Sequence, residues 1–419
     1  MVRDIRCTDI RGAKEMSATI EPSATLHEAP PSSPSAAKPR LRLQFLDGLR
    51  GLSALYVAIY HVCHSRAAMS PIWVHATNWT RFGHYGVDVF IVLSGYCLMM
   101  PVARAADGRM RKGSLDFFRR RARRLLPTYY AALAATLLLI VISCRMKHSH
   151  GFVDGEGLPV FAAGNLLSHV LLYYNVTRWC GSINGVLWSV ATEWQIYFFF
   201  PFFLLPIWRR FGAWTAIVAG FALGLVPHYA LPQAYRADQA YLWLLGLFAL
   251  GMAGASLVHS VRESDQRLRD RVPWGVLAIV LSAAFWATIT LLPARWRSVL
   301  GWETDALMGA ATFSFVVYCA CCATHPHGHR PAILRLLENR WTVLLGGFSY
   351  SLYLMHLPIE WMWQPLTRKL HIFGNALYAF EWLVALPSAV MVSYLFYLAV
   401  ERHFVNNSEP TKTISSAAS

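Results

Sequence analysis

Long apolar blocks separated by short polar connectors dominate this chain. Residues 131–143, 242–257, 275–292, 306–323 and 376–400 are nearly free of charge. With their flanks these blocks approach the roughly 20 residues that cross a bilayer as a helix. The pattern predicts an all-α polytopic integral membrane protein with about ten transmembrane helices. They are expected at 45–63, 85–102, 125–143, 186–206, 213–230, 241–258, 274–292, 305–323, 343–363 and 377–400. The stretch 158–174 is apolar but broken by Gly164, Asn165 and His169, and reads as an interfacial helix in an external loop.

The ends of the chain follow a different pattern. Residues 1–44 are polar and rich in Pro, Ser and Ala, the composition of a disordered cytoplasmic tail. They show no basic segment leading into an apolar one, so a cleaved signal peptide is not expected. The expected organisation is therefore a tail over 1–44, one transmembrane domain over 45–404 and a short cytoplasmic tail over 405–419.

Composition agrees, with 55% hydrophobic and 15% charged residues. The net charge of +15 could suggest nucleic acid, but its distribution argues for topology instead. The 104–124 connector carries nine Lys/Arg, and further arginines fall at 209–210, 262–271 and 330–340. The intervening connectors hold one to three each, such as Arg66 and Arg81, or Arg236 alone. Positive charge retained on one side predicts both termini inside, and no nucleic-acid partner. The eight cysteines lack a paired CxxC pattern, so no metal site is expected. Cys144 and Cys180 share one external loop and form either a disulfide or two thiols. Asn78-Trp-Thr80 and Asn175-Val-Thr177 are glycosylation sequons in external loops.

Ionisable residues at membrane depth are functional candidates, because a charge there costs free energy. In the first segment Arg50 and His61 stand eleven residues apart. Eleven residues are three helical turns plus about 20°, so both lie on one face, roughly 16 Å apart. Ala54, Val57 and Ala58 lie between them, leaving a thin strip suited to an extended ligand. Ser189, Glu193 and Tyr197 follow i, i+4, i+8, and Ser349, Tyr353, His356 and Glu360 follow i, i+4, i+7, i+11. Topology assigns His61, Asp88, Glu193 and Glu360 to one outer layer, with His356 slightly deeper. At the inner side, Arg119-Arg120-Arg121-Ala122-Arg123-Arg124 precedes Leu125-Leu126-Pro127. Arginines there anchor topology, and they also bind phosphate through bidentate charge-assisted bonds.

Six segments in order resemble the acyltransferase-3 family of membrane O-acyltransferases. They are Phe45-Leu-Asp-Gly-Leu-Arg-Gly-Leu with His61, Gly86-Val-Asp-Val-Phe-Ile-Val-Leu-Ser-Gly95, and Arg121-Ala-Arg-Arg-Leu-Leu-Pro127. Then come Trp188-Ser-Val-Ala-Thr-Glu-Trp-Gln-Ile-Tyr197, Ser349-Tyr-Ser-Leu-Tyr-Leu-Met-His356 and Glu401-Arg-His-Phe404. The resemblance implies transfer of an acyl group, acetyl or short-chain, from cytoplasmic acyl-CoA to a hydroxyl of a glycan, lipid-linked sugar or small natural product. It implies that His61 is the catalytic histidine and that Arg50, Arg121 and Arg124 hold the CoA phosphates. Glu193 or Asp88 would orient the imidazole, with His356 close by, and the sequence chooses neither carboxylate. His403 stands where the family more often has proline, which weakens any role carried over to Glu401. No hydrolase-like domain follows residue 404, so a second transfer step is expected to need a separate partner. The expected partners are acyl-CoA as donor substrate, a hydroxyl-bearing acceptor and the lipid bilayer of a plasma or inner membrane, with no tightly bound cofactor. The competing expectation is a transporter or flippase for a lipid-linked sugar that uses the same polar seam.

Overall fold

The computed structural model describes residues 43–63, 70–105, 107–111, 113–146, 160–230, 240–260, 262–293, 301–324 and 330–405. Ten principal helices organise them: α1 (Gln44–Val62), α2 (Gly86–Ala103), α3 (Gly113–Met146), α4 (Trp188–Phe199) and α5 (Ala213–Ala230). The set is completed by α6 (Leu244–His259), α7 (Trp274–Leu291), α8 (Trp302–Thr324), α9 (Ser349–Lys369) and α10 (Leu386–Ala399). No strand occurs among the described residues. The expected tails fall outside them apart from their edges, as does the side chain of Cys144 in the expected loop pair.

Each of the ten expected segments is helical. Among the described residues seven helices are long and apolar enough to cross a membrane, or nine if each of two bent pairs is one span. One bent pair joins α6 to Glu263–Arg271, and the other joins Arg340–Gly347 to α9 at an angle of 70°. Helix α1 lies outside that number because Asp47 and Arg50 dilute its apolarity. The outer helices carry apolar side chains into the surroundings, such as Val276, Ile279 and Val280 on α7. Side chains of this kind are stable facing lipid rather than water. The chain is a multi-pass integral membrane protein.

One boundary differs from expectation. Helix α3 begins at Gly113, so the arginine cluster is helical rather than part of a connector. On a helix, i and i+3 share a face. Arg121 and Arg124 therefore turn inward together, while Arg119, Arg120 and Arg123 are exposed. Arg120 pairs instead with Asp116, one turn earlier.

Glycines set the closest helix contacts. A Cβ at Gly95 would collide with the Phe248 carbonyl oxygen, and one at Gly251 with that of Val92. Helices α2 and α6 thus meet backbone to backbone, as small residues allow in membranes. Gly48 and Gly346 do the same for α1, against Leu337 and Asp47. The motif glycines around Arg50 are explained by this packing, which seats α1 among α2, α9 and the segment Arg340–Gly347.

The segment before α4 contains a short helix, Ala163–Val170, and is tightly packed. His169 is fully buried, stacks on Tyr174 at 3.9 Å, and its Nδ1–H donates to the Asn165 carbonyl. Burial lowers its pKa to about 4, so it is neutral and serves packing. Asn175 is also buried, and its amide donates to Thr192 Oγ1 and Gln195 Oε1. In the folded chain the amide of this sequon asparagine is inaccessible to a glycan.

Candidate functional site

Helices α1, α2, α3, α4 and α9 enclose a cavity of about 260 Å³. Its charge comes from Arg50 on α1 and from Arg121 and Arg124 on α3. Among the described residues none of the three pairs with a carboxylate within 4 Å, and the buried Arg121 Nε has no hydrogen-bond partner. Arg50 and Arg121 both act electrostatically on Arg124. Three like charges at one cavity repel one another, and a polyanion would relieve that repulsion.

Apart from Glu193, the rest of the cavity lining is uncharged. Glu193 Oε1 accepts from Ser94 Oγ at 2.9 Å and from Tyr197 O–H at 2.6 Å. Tyr353 also lines the cavity, and its hydroxyl bonds to Ser189 Oγ at 2.6 Å and to the Val186 carbonyl at 2.8 Å. Ser349 and Tyr350 close the wall at the start of α9. That helix start is capped by Glu401, whose Oε2 accepts from Ser351 N–H at 3.1 Å and Ser351 Oγ at 2.5 Å. A carboxylate at a helix N-terminus satisfies orphan N–H groups and complements the dipole. Glu401 therefore works as a cap that holds α9 in place.

Beyond Tyr353, whose ring centroid is 6.0 Å from that of His356, lies an imidazole pair. His356 is fully buried, and its Nδ1 is 3.0 Å from the Leu352 carbonyl oxygen. A carbonyl only accepts, so His356 Nδ1 carries the proton and Nε2 carries the lone pair. His61 Nδ1 is 3.0 Å from the Val57 carbonyl and 3.2 Å from His356 Nε2. By the same reasoning His61 Nδ1 is the protonated atom, donating toward both, and its lone pair sits on Nε2.

The residues of the expected outer layer fall into separate groups, with Glu360 lining a different cavity further along α9. His61 and His356 form the imidazole pair. Glu193 belongs with Arg50, Arg121 and Arg124 in the cavity. Asp88 is buried on α2 with Oδ2 unpartnered among the described residues, and it feels the charge of Asp305 on α8. Asp305 Oδ2 in turn accepts from Trp243 Nε1 at 2.7 Å. Helix offset explains the separation: Ser94 is midway along α2, so its partner Glu193 is midway too.

Several residues escaped the sequence reading. Ser94 sits inside the 86–95 motif but was not singled out. Glu381 and Asp305 are acidic residues within apolar stretches, and the cost of charge in lipid was signal enough to single them out.

A family model described as an acyltransferase domain matches residues 43–398. The chain is similar to YrhL of Bacillus subtilis, 26% identical over 381 residues, covering 85% of this chain and 54% of that protein. It is similar to the peptidoglycan O-acetyltransferase OatA of Listeria monocytogenes, 23% identical over 348 residues, with coverages of 77% and 50%. The O-acetyltransferase OatA of Staphylococcus aureus is 26% identical over 337 residues, with coverages of 75% and 50%. The chain spans about half the length of these relatives. No solved structure matches it. A helical membrane domain with an arginine-lined cavity and a neighbouring histidine pair, matched over most of its length by this family model, belongs to the acyltransferase-3 family.

Proposed function

We propose that this chain is a membrane O-acyltransferase. It moves an acyl group, acetyl or short-chain, from cytoplasmic acyl-CoA to a hydroxyl of a carbohydrate or small natural product. The observation that carries this reading is the convergence of Arg50, Arg121 and Arg124 on one cavity, also lined by Tyr353, whose ring is 6.0 Å from that of His356 in the His61–His356 pair. The arginines hold the CoA phosphates by charge-assisted hydrogen bonds. The pantetheine arm follows the α1 seam, on which Arg50 and His61 are roughly 16 Å apart.

The chemistry assigns each group a task. His61 Nε2 accepts the proton of the acceptor hydroxyl while its oxygen attacks the thioester carbon. The C–O bond forms, the C–S bond breaks, and the leaving thiolate takes the proton back from His61. The products are an ester and free CoA. His356 accepts the His61 Nδ1–H, which fixes the reactive tautomer and stabilises the imidazolium as it forms. His356 is therefore a positioning residue.

The same reading orients ten spans with both termini inside and the arginines at the inner face of a plasma or inner membrane. Tags at Gly108 and the C-terminus are expected to report cytoplasm. Tags near Asp154 and Ala294, which lie outside the described residues, are expected to report the exterior. A cytoplasmic signal at Asp154 would break this topology.

The direct test is transfer by purified protein in proteoliposomes. Radiolabelled acetyl-CoA and an N-acetylglucosamine glycan are expected to give alkali-labile label on the glycan. The relatives named as O-acetyltransferases support the choice of donor group and acceptor. Absence of ester-linked label on any hydroxyl acceptor would overturn the proposal. The flippase alternative has no observation in its favour.

A further inference from the structure

A second cavity, of about 250 Å³, is walled by the outer part of α9 and by the chain that follows it, through Ala385. It lies beyond the histidine pair. His356 and Glu360 are i and i+4 on α9, so they share a face about 6 Å apart along the axis. Glu360 is buried and its Oε1 accepts from Gln364 Nε2 at 3.0 Å. The facing wall carries Glu381, also buried and within electrostatic reach of Cys63, two residues beyond His61.

Two further features separate this cavity from ordinary helix packing. Glu381 opens a π-helical turn, Glu381–Ala385, between Gly374–Phe380 and α10. Such turns are uncommon and concentrate at functional sites. Aromatic rings line the same cavity. Trp363 meets Phe380 edge-on at 5.5 Å, and its Nε1–H donates to Ser388 Oγ at 2.8 Å, which fixes the indole plane.

This lining is the chemical opposite of the arginine cavity. Carboxylates accept from hydroxyl groups in strong, charge-assisted hydrogen bonds. Fixed aromatic faces cover the apolar C–H surface of a ring. Among the described lining residues two carboxylates stand with the guanidinium of Arg368, a balance that disfavours an anionic ligand. We infer that this cavity binds the acceptor as a neutral polyhydroxylated sugar ring, holding one hydroxyl toward His61. The inference rests on the acyltransferase reading and names the substrate class for its outer half. The arginine cavity then takes the anion, this cavity takes the hydroxyls, and the imidazoles lie between.

The test uses full-length protein in lipid nanodiscs, with the neutral disaccharide of N-acetylglucosamine as acceptor. Glu381→Gln and Trp363→Ala are each expected to raise the acceptor KM roughly tenfold while the KM for acetyl-CoA stays unchanged, since only hydroxyl contacts are lost. Glu360→Gln, nearly isosteric, covers the case in which Trp363→Ala fails to fold. A second measurement needs no turnover. Phe373 lies at the cavity rim and is 62% exposed. In a Phe373→Cys variant, alkylation at position 373 is followed by peptide mass spectrometry. The neutral disaccharide should slow it, and glucuronic acid should not. Unchanged acceptor KM in folded variants, or no protection by the disaccharide, would overturn the assignment. Wild-type protein that transfers no acyl group would refute the acyltransferase reading itself, and the alkylation assay would still decide what this cavity binds.

Discussion

His61→Ala is expected to reduce acyl transfer by about 10²- to 10⁴-fold, the usual contribution of a general base, while acyl-CoA binding stays near normal. The reason lies in the tautomer. The Val57 carbonyl and His356 Nε2 both take the proton on His61 Nδ1, which leaves the lone pair on Nε2. His61→Gln keeps a polar group of similar reach but cannot act as a base, so it should be equally inactive. His356→Ala removes an acceptor without removing the base. Per folded molecule, counted by acyl-CoA binding sites, it should lower kcat by a smaller factor and leave both KM values unchanged. His75, exposed on the short helix Pro71–Ala76, provides the control, and His75→Ala should keep the wild-type rate. Near-normal acylation by well-expressed His61→Ala protein would sink this mechanism.

Arg121→Ala and Arg124→Ala are each expected to raise the KM for acyl-CoA tenfold or more, because a charge-assisted hydrogen bond contributes roughly 1.5–3 kcal/mol. The acceptor KM should not move. The double variant should lose less than the product of the two single losses. Arg124 is repelled by both Arg50 and Arg121, so removing one guanidinium relieves the others, and neighbouring charges are not additive. Arg123 lies between the two in sequence but is exposed, and Arg123→Ala should leave the donor KM unaltered. Donor affinity that is insensitive to Arg121 and Arg124 would reduce both to topology anchors.

The parts of the site that were legible beforehand lie within one helix. Arg50 and His61 are placed by the rise and turn of α1 alone, and α1 is continuous between them. The pairing of Arg121 with Arg124 also follows from local geometry. Reading 104–124 as a connector nevertheless hid it, because dense positive charge masks a helix start. The polar spacing of Tyr353, His356 and Glu360 on α9 was visible too. That Tyr353 lines one cavity and Glu360 another was not, because each cavity's other wall comes from other elements: Arg121 and Glu193 for one, Phe380 and Glu381 for the other.

By itself, the sequence determined the helical membrane character, the family and the helix faces that carry chemistry. These depend on hydropathy and on a 3.6-residue period, and both are local properties. Tertiary structure alone decided which faces meet and at what depth. It set Glu193 beside Ser94 rather than beside His61, and turned Glu401 into a helix cap. It also brought His356 to within 3.2 Å of His61 across 295 residues. Those outcomes depend on where the helices cross. The crossings are set by backbone contacts at Gly48, Gly95, Gly251 and Gly346, which no pattern along the chain encodes as a distance.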